Sequence, residues 1–133
     1  MKINHVDHIA INTLDIEESI RFYCDILGFQ LENRVDMDEL GPETLVYVRV
    51  NEHTRMELCD LRGRCTAKQP YNTTEGGLRH IAFDVDDLPA WEKYLEEKGV
   101  PFECKLIDLP MLGKRGLLIY DPDGTVVELC CDR

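Results

Sequence analysis

The sequence predicts an α+β fold of two tandem βαβββ modules whose eight strands form a cupped mixed sheet. Two repeats support this prediction. His8-Ile9-Ala10 returns as His80-Ile81-Ala82, an offset of 72 (80 − 8), and the string TRMELC at Thr54 returns as TVVELC at Thr125, an offset of 71 (125 − 54). Self-similarity at such a period indicates two stacked supersecondary units. Residues 1–133 are therefore predicted to form one domain, with module one near 1–70 and module two near 71–133.

The first module begins with a strand and a helix. Apolar residues alternate over residues 6–11, which predicts a strand. Asp15 and Glu18 form a capping-box pattern, and Gly28 is placed to end the helix. Because Gly28 matches Gly99 at an offset of 71 (99 − 28), a single-residue gap inside the first helical segment accounts for the two offsets. Three further strands are predicted, at residues 29–35, 45–50 and 55–61.

The second module follows the same plan. A strand is predicted at residues 78–85, and a helix begins after Asp87, has Pro89 in its first turn and ends at Gly99. Strands are predicted at residues 102–106, 117–120 and 125–131. The sequence Asp-Pro-Asp-Gly at 121–124 predicts a tight turn before the last strand. Residues 108–116 are interpreted as a mobile loop.

Composition narrows the classes of function. A formal charge of −11 disfavours nucleic-acid partners, which are bound through clustered Lys and Arg. No apolar run approaches the roughly 20 residues that span a bilayer, and the opening residues do not have a signal-peptide pattern. Six cysteines in such a chain indicate a reducing compartment. We therefore expect a cytoplasmic protein with a small-molecule substrate, no nucleic-acid partner and no membrane partner.

Strand alternation indicates a metal site. Residues two apart in a strand share a face, and apolar neighbours assign four polar side chains to the face away from the helix-packed core. One such His or Glu alone is usually an ordinary polar residue of a strand. Two imidazoles and two carboxylates at repeat-equivalent positions suit a divalent cation. The predicted ligands are His8, Glu57, His80 and Glu128.

A catalytic thiol is the alternative on this face. Cys59 and Cys130 each lie two residues beyond a predicted ligand. A reactive cysteine needs a nearby basic group to stabilise its thiolate. The sequence places no basic residue for this, so the metal is the preferred interpretation.

The same residues resemble a known superfamily. The string HVDHIAI from His5, with Arg21-Phe22-Tyr23 before Leu27-Gly28-Phe29, is similar to the vicinal oxygen chelate superfamily, also called the glyoxalase/bleomycin resistance protein/dioxygenase superfamily. The strings LRHIAFDVD from Leu78 and DPDGTVVEL from Asp121 share this similarity. The resemblance covers nearly the whole chain. It implies paired βαβββ modules around a cupped metal site.

The ligand order implies a reaction class. Glyoxalase I (lactoylglutathione lyase) has His, Glu, His and Glu in chain order, as this sequence does. The resemblance therefore implies a homodimeric lyase or isomerase with one divalent ion per site, which is nickel, cobalt, manganese, iron or zinc. Glu128, or else Glu57, would transfer a proton through a metal-stabilised enediolate. Three alternatives stay open: a methylmalonyl-CoA epimerase-like enzyme, an extradiol dioxygenase and a bleomycin-resistance-type binding protein.

Departures from glyoxalase I concern the substrate. Asn12 and Leu61 stand where bacterial glyoxalase I commonly has an Arg and an Asn. The resemblance therefore does not extend to glutathione as the preferred thiol. The predicted substrate-binding residues are Asn12, Arg49, Lys114 and Arg115.

Overall fold

A computed structural model describes residues 1–39, 41, 43–65 and 77–133. The chain divides into two compact units, Met1–Lys68 and Gln69–Arg133. Among the described residues, no helix is both long enough and apolar enough to cross a membrane.

The first unit is a βαβββ module. Its strands are β1 (His8–Thr13), β2 (Gln30–Met37), β3 (Glu43–Arg49) and β4 (Arg55–Asp60), and its helix is α1 (Ile16–Ile20) followed by a π-helical segment (Arg21–Ile26). The strands form one sheet in the order β1-β4-β3-β2. The first and last strands are parallel neighbours, and the other pairs are antiparallel. The first and last strands of the module, β1 and β4, therefore lie side by side.

The helical part of the first unit contains the extra residue that the repeat offsets imply. The Asp15 side chain accepts hydrogen bonds from the backbone N–H groups of Glu17 and Glu18, which caps α1. The chain then widens into the π-helical turn, where Leu27 N–H donates to the Phe22 carbonyl at 3.0 Å. A wider turn holds one more residue over the same axial length. The single-residue gap between the repeats thus corresponds to a π-helical turn in the first unit.

The core of the first unit follows strand alternation. In β3, Thr44, Val46 and Val48 are buried, whereas the residues between them are only partly buried. In β4, Met56 and Leu58 are fully buried, and α1 packs against this strand. Burying side chains of this size stabilises the fold by about 1.5–3 kcal/mol each. The alternate residues, including Tyr47 and Glu57, face away from this core.

The second unit repeats the plan. It consists of β5 (Ile81–Asp84), α2 (Leu88–Glu97), β6 (Phe102–Leu109), a 3₁₀ turn (Pro110–Leu112), β7 (Lys114–Tyr120) and β8 (Val126–Asp132). The strand order is β5-β8-β7-β6, with β5 and β8 parallel. Asp87 caps α2 by accepting from Ala90 N–H at 3.0 Å, and Gly99 follows the helix at a φ of 71°. Leu88, Leu95, Leu117 and Leu129 form much of its buried core.

The predicted fold class is confirmed. All eight predicted strands are present in the described residues, hydrogen-bonded as two four-stranded sheets, one in each unit. The turn before β8 also forms: Asp121 accepts from the N–H groups of Asp123 and Thr125, at 2.9 and 2.7 Å. The single domain over residues 1–133 stays a prediction.

One prediction about the second unit is wrong. Residues 108–116 are not a loop, because β6 and β7 continue through them with Asp108 opposite Arg115 and Leu109 opposite Lys114. Only the short 3₁₀ turn and Gly113, at a φ of 65°, connect the strands. Charged residues at a hairpin end read as loop in the sequence, but their backbone groups pair across the hairpin.

Candidate metal centre

The first unit brings one predicted His–Glu pair together. Ala10 of β1 lies directly opposite Glu57 of β4, and His8 is two residues before Ala10 on the same face. Parallel pairing of the two strands thus places both side chains side by side. His8 Nε2 is 3.6 Å from Glu57 Oε2. The small Ala10 leaves the space above the strand open.

Asp7 holds the other nitrogen of His8. Asp7 Oδ2 is 2.8 Å from His8 Nδ1, and this hydrogen bond lowers the pKa of the Asp7 carboxyl. Histidines that bind metals usually donate their second ring nitrogen to a carboxylate or carbonyl, which fixes the ring and its tautomer. The His8 ring therefore presents Nε2 toward Glu57 in the way that a metal ligand requires.

Tyr47 ties down the carboxylate of the first pair. It lies opposite Glu57 in the β3–β4 ladder, and its hydroxyl donates a hydrogen bond to that carboxylate. This hydrogen bond, with desolvation and the nearby charge, raises the pKa of Tyr47 to about 12. The Tyr47 ring also meets His8 edge-on, with centroids 5.6 Å apart. Glu57 is thus held by a neighbouring strand.

The second unit brings the other predicted pair together. Ala82 of β5 lies opposite Glu128 of β8, which repeats the register of Ala10 and Glu57. His80, just before β5, places Nε2 at 2.8 Å from Glu128 Oε2. Its Nδ1 is buried and, among the residues that the structure describes, has no hydrogen-bond partner. In the described part of the chain, no carboxylate accepts from the second ring nitrogen of His80 as Asp7 does from that of His8.

The strand beside Glu128 carries no hydroxyl at the matching place. Leu118 of β7 lies opposite Glu128, where the first unit has Tyr47 opposite Glu57. Two residues before it, Gly116 leaves the space that the Glu128 carboxylate occupies. The second carboxylate therefore lies over a glycine and beside an apolar side chain.

The predicted substrate-binding cations all have acidic partners. Arg49 forms an ion pair with Glu32, which also lies 3.2 Å from Arg55. Lys114 Nζ is 2.5 Å from Asp132 Oδ1, and Arg115 Nε is 3.0 Å from Asp108 Oδ1. Most of these partners lie on neighbouring strands, which strand-by-strand reading does not reveal. Asn12 is exposed near the end of β1.

The cysteines beside the ligands are not reactive thiolates. Burial, together with the charge of Glu57, raises the pKa of Cys59 to about 12. Burial likewise raises the pKa of Cys130, with a contribution from Glu128. At neutral pH both groups are thiols, which are weak nucleophiles. The structure therefore gives no support to the alternative of a catalytic cysteine.

The donor chemistry of the two pairs fits a divalent cation. Each pair supplies one imidazole and one carboxylate. The buried Nδ1 of His80 has no partner within residues 1–39, 41, 43–65 and 77–133, so the described residues leave its ring incompletely satisfied. Among the described residues, no group of three or more His, Cys, Asp and Glu side chains is gathered around one point. Each unit therefore supplies two of the four predicted ligands.

Sequence reasoning missed three neighbours of these pairs: Asp7, the hydroxyl of Tyr47 and Gly116. The signal for Tyr47 was its place on the same predicted face as Arg49. Asp7 was visible only as the residue before His8 in the HVDH string. Nothing in the sequence predicted that Gly116 lies next to Glu128, because this contact depends on the direction of the Glu128 side chain.

Three relatives and one solved structure show what this chain resembles. The uncharacterized protein YaeR of Escherichia coli (strain K12) is 36% identical over 127 residues, which are 96% of this chain and 95% of that protein. Human mitochondrial methylmalonyl-CoA epimerase is 29% identical over 96% of this chain and 73% of its own length. The lactoylglutathione lyase of Schizosaccharomyces pombe is 31% identical over 97% of this chain and 48% of its own length.

A solved structure has a similar fold. The crystal structure of a glyoxalase family protein from Enterococcus faecalis has a TM-score of 0.83 and 26% sequence identity, covering 98% of this chain and 99% of that one. The profile of one family matches residues 5–129. That match takes in both repeats and both His–Glu pairs, so the chain belongs to the Glyoxalase/Bleomycin resistance protein/Dioxygenase superfamily.

Proposed function

We propose that this protein is a metal-dependent lyase or isomerase of the glyoxalase I type. One observation carries the proposal: the same His–Glu pair lies at the junction of the first and last strands in both units. Relatives named lactoylglutathione lyase and methylmalonyl-CoA epimerase give it further support. Both names describe reactions on small thioester or thiol-adduct substrates, which we take as the substrate class.

The proposed centre holds one divalent ion between four ligands. They are His8, Glu57, His80 and Glu128, and the ion is nickel, cobalt, manganese, iron or zinc. Because each unit supplies only two donors, the proposal requires the two kinds of unit to meet, either within one chain or across two chains. We propose a homodimer.

A reducing location agrees with the state of the cysteines. All six are free thiols, and none forms a disulfide. Disulfides are rare where glutathione and thioredoxin keep thiols reduced. We therefore propose a cytoplasmic protein, as the sequence predicted.

The bound ion would stabilise negative charge that develops on neighbouring substrate oxygens. The protein's own part is to move a proton between adjacent carbon atoms. A carboxylate within reach of both carbons can accept the proton on one side and return it on the other. This role requires a carboxylate that changes its hydrogen-bond partners during the reaction.

Glu128 suits this role better than Glu57. Glu57 accepts a hydrogen bond from the Tyr47 hydroxyl, which restrains the position of its carboxylate. Glu128 has an imidazole at 2.8 Å, with glycine and leucine on the adjacent strand. We therefore assign Glu128 as the base and Glu57 as a fixed ligand.

Substrate recognition differs from that of bacterial glyoxalase I. Asn12 replaces a cation at the exposed end of β1, and Leu61 follows β4 where an amide side chain is common in that enzyme. We propose that glutathione is not strongly preferred as the thiol. Arg49, Lys114 and Arg115 reach a substrate carboxylate or phosphate only by exchanging their present acidic partners.

An epimerase acting on an acyl-CoA ester is the second candidate. The observation that favours it is the relationship to human methylmalonyl-CoA epimerase over 96% of this chain. The same base and the same cation would serve, because epimerisation also removes and returns a proton beside a carbonyl. The two candidates therefore differ in substrate rather than in the proposed centre.

Metal analysis with a substrate screen tests the proposal. The purified protein is loaded in turn with nickel, cobalt, manganese, iron and zinc, and is offered hemithioacetals, acyl-CoA esters and catechols. We expect about one ion per four-ligand site, with turnover of a hemithioacetal or an acyl-CoA ester that redox-inert zinc or nickel supports. Oxygen-dependent ring opening of catechols would instead show a dioxygenase. Tight binding of small molecules without bound metal or turnover would show a binding protein.

A further inference from the structure

A glycine of β7 lies directly beneath one proposed ligand. A Cβ atom placed on Gly116 would be 2.8 Å from Glu128 Oε1 and 3.7 Å from Glu128 Cδ. Real Cβ atoms essentially never approach another heavy atom closer than 3.0 Å. The Glu128 carboxylate therefore occupies the space that any side chain at position 116 would take.

The strand itself does not require glycine here. Leu45 is the matching residue of the first unit, at an offset of 71 (116 − 45), and both residues pair with the cysteine two positions beyond the Glu. Gly116 is also not among the glycines with positive φ, so its backbone is open to other residues. What distinguishes the two positions is the carboxylate that lies above Gly116.

We propose that Gly116 is a positioning residue for the metal centre, because the missing side chain lets the Glu128 carboxylate lie against His80. The inference rests on the proposed four-ligand site. Glu128 Oε2 lies 2.8 Å from His80 Nε2, while the other oxygen of the same carboxylate fills the space above Gly116. A methyl group at position 116 moves that oxygen and changes the direction from which Glu128 reaches the ion.

The fold has little to lose from such a methyl group. Apart from Glu128, the nearest heavy atom to the added Cβ is the Leu129 carbonyl oxygen at 3.5 Å, an ordinary van der Waals distance. The clash falls on the far end of a flexible side chain, which rotates away at small expense. Gly116→Ala is therefore expected to move the Glu128 carboxylate without destabilising the unit.

Cobalt binding by the whole chain tests this. Calorimetry gives the Kd of Co²⁺, and the visible spectrum of the bound ion reports its coordination. We expect Gly116→Ala to weaken Co²⁺ binding by about 10–100-fold, as for other changes that disturb the orientation of a ligand, and to alter the spectrum. The Tm of the metal-free protein should stay close to the wild-type value. The matched variant Leu45→Ala, at the equivalent position of the first unit, should keep both Kd and spectrum near wild type.

A double-mutant cycle shows whether the effect acts through Glu128. In a Glu128→Ala background, Gly116→Ala should change the Co²⁺ Kd by less than about twofold, because the clashing group is gone. An equal loss of affinity in both backgrounds, or a loss of stability that persists without Glu128, would overturn the inference. Wild-type affinity in Gly116→Ala would overturn it too, while leaving the proposed function intact. If the wild-type protein binds no Co²⁺ or other divalent ion, the proposed function fails and the inference fails with it.

Discussion

In the first unit the carboxylate of the predicted metal pair accepts a hydrogen bond from a neighbouring strand, whereas the strand beside the matching carboxylate of the second unit carries leucine and glycine. Glu57 accepts from Tyr47, and its partner His8 is held by Asp7. Glu128 contacts His80, whose second ring nitrogen has no hydrogen-bond partner in the described structure, and lies over Gly116. The parallel strand pairs place the proposed ligands in both units, and the residues on neighbouring strands determine how firmly each of them is held. Two units with the same backbone fold can therefore give matching glutamates different roles.

Removing a ligand of the second unit should have the largest effect. His80→Ala deletes a nitrogen donor and leaves Glu128 without its partner, so bound metal and turnover should be lost together. Metal content after gel filtration, with turnover measured on the same samples, checks this. His53→Ala is the control, because that histidine is exposed and forms its ion pair with Glu52, which is not a predicted ligand. A metal-loaded His80→Ala protein would contradict the assignment of His80 as a ligand.

Replacing each glutamate by glutamine, one at a time, tests which of the two carboxylates is the base. Glu128→Gln should keep much of the metal, because an amide oxygen still coordinates, while turnover falls by about 10²–10⁴-fold as a general base is lost. Glu57→Gln should weaken metal binding more and the chemical step less. Bound metal and solvent-deuterium incorporation into product separate the two effects. Near-normal turnover in Glu128→Gln, with inactive but metal-loaded Glu57→Gln, would reverse the roles.

The hydrogen bond between the Tyr47 hydroxyl and the Glu57 carboxylate can be removed directly. Tyr47→Phe removes the hydroxyl that holds Glu57 and should weaken metal binding by about tenfold, near the low end for residues that orient a ligand. Titration with Co²⁺ gives the affinity. Tyr120→Phe is a matched control, because it also removes a phenol–carboxylate hydrogen bond, but one made to Glu103. Equal losses in both variants would mean that Tyr47 has no special relation to the metal.

The smallest expected effect concerns the thiol of the substrate. Asn12 and Leu61 stand where glyoxalase I commonly has the Arg and Asn that hold glutathione. A lost hydrogen bond to a charged group costs about 1.5–3 kcal/mol of binding free energy. Hemithioacetals of methylglyoxal with glutathione and with other small thiols should therefore have similar kcat/KM values. Efficient turnover of the glutathione adduct alone would show that another surface of the protein binds the tripeptide.

Most of the fold could be predicted because burial imposes a period on the sequence. The alternation of Val46 and Val48 with Tyr47 can be recognised in the sequence, and so can the helix cap at Asp15. The π-helical turn appeared only as a single-residue gap, since one extra residue in a helix has several structural solutions. The paired ends of β6 and β7 were missed because Lys114 and Arg115 have the composition of a loop.

The site was predictable to the extent that it is repeated. His8 and His80, or Glu57 and Glu128, attract attention as duplicates on a shared strand face. The features that distinguish the units, Tyr47 and Gly116, have no counterpart in the other copy and so left no such signal. Their contacts depend on side-chain direction across neighbouring strands, which a single sequence does not specify.

The parallel closure of each unit has a consequence for folding. His8 and Glu57 are 49 residues apart (57 − 8) and become neighbours only when β1 pairs with β4, after the intervening helix and hairpin have been enclosed. Pairing across such a separation is slow to form, because the entropy of closing a long loop is lost before the contacts stabilise it. The unfolded chain therefore lacks the proposed binding pair. A cation that binds the four proposed ligands would stabilise only folded protein in which both kinds of unit have formed, by about 2.7 kcal/mol at a hundred times its Kd. The supply of metal would therefore set the fraction of molecules that stays folded.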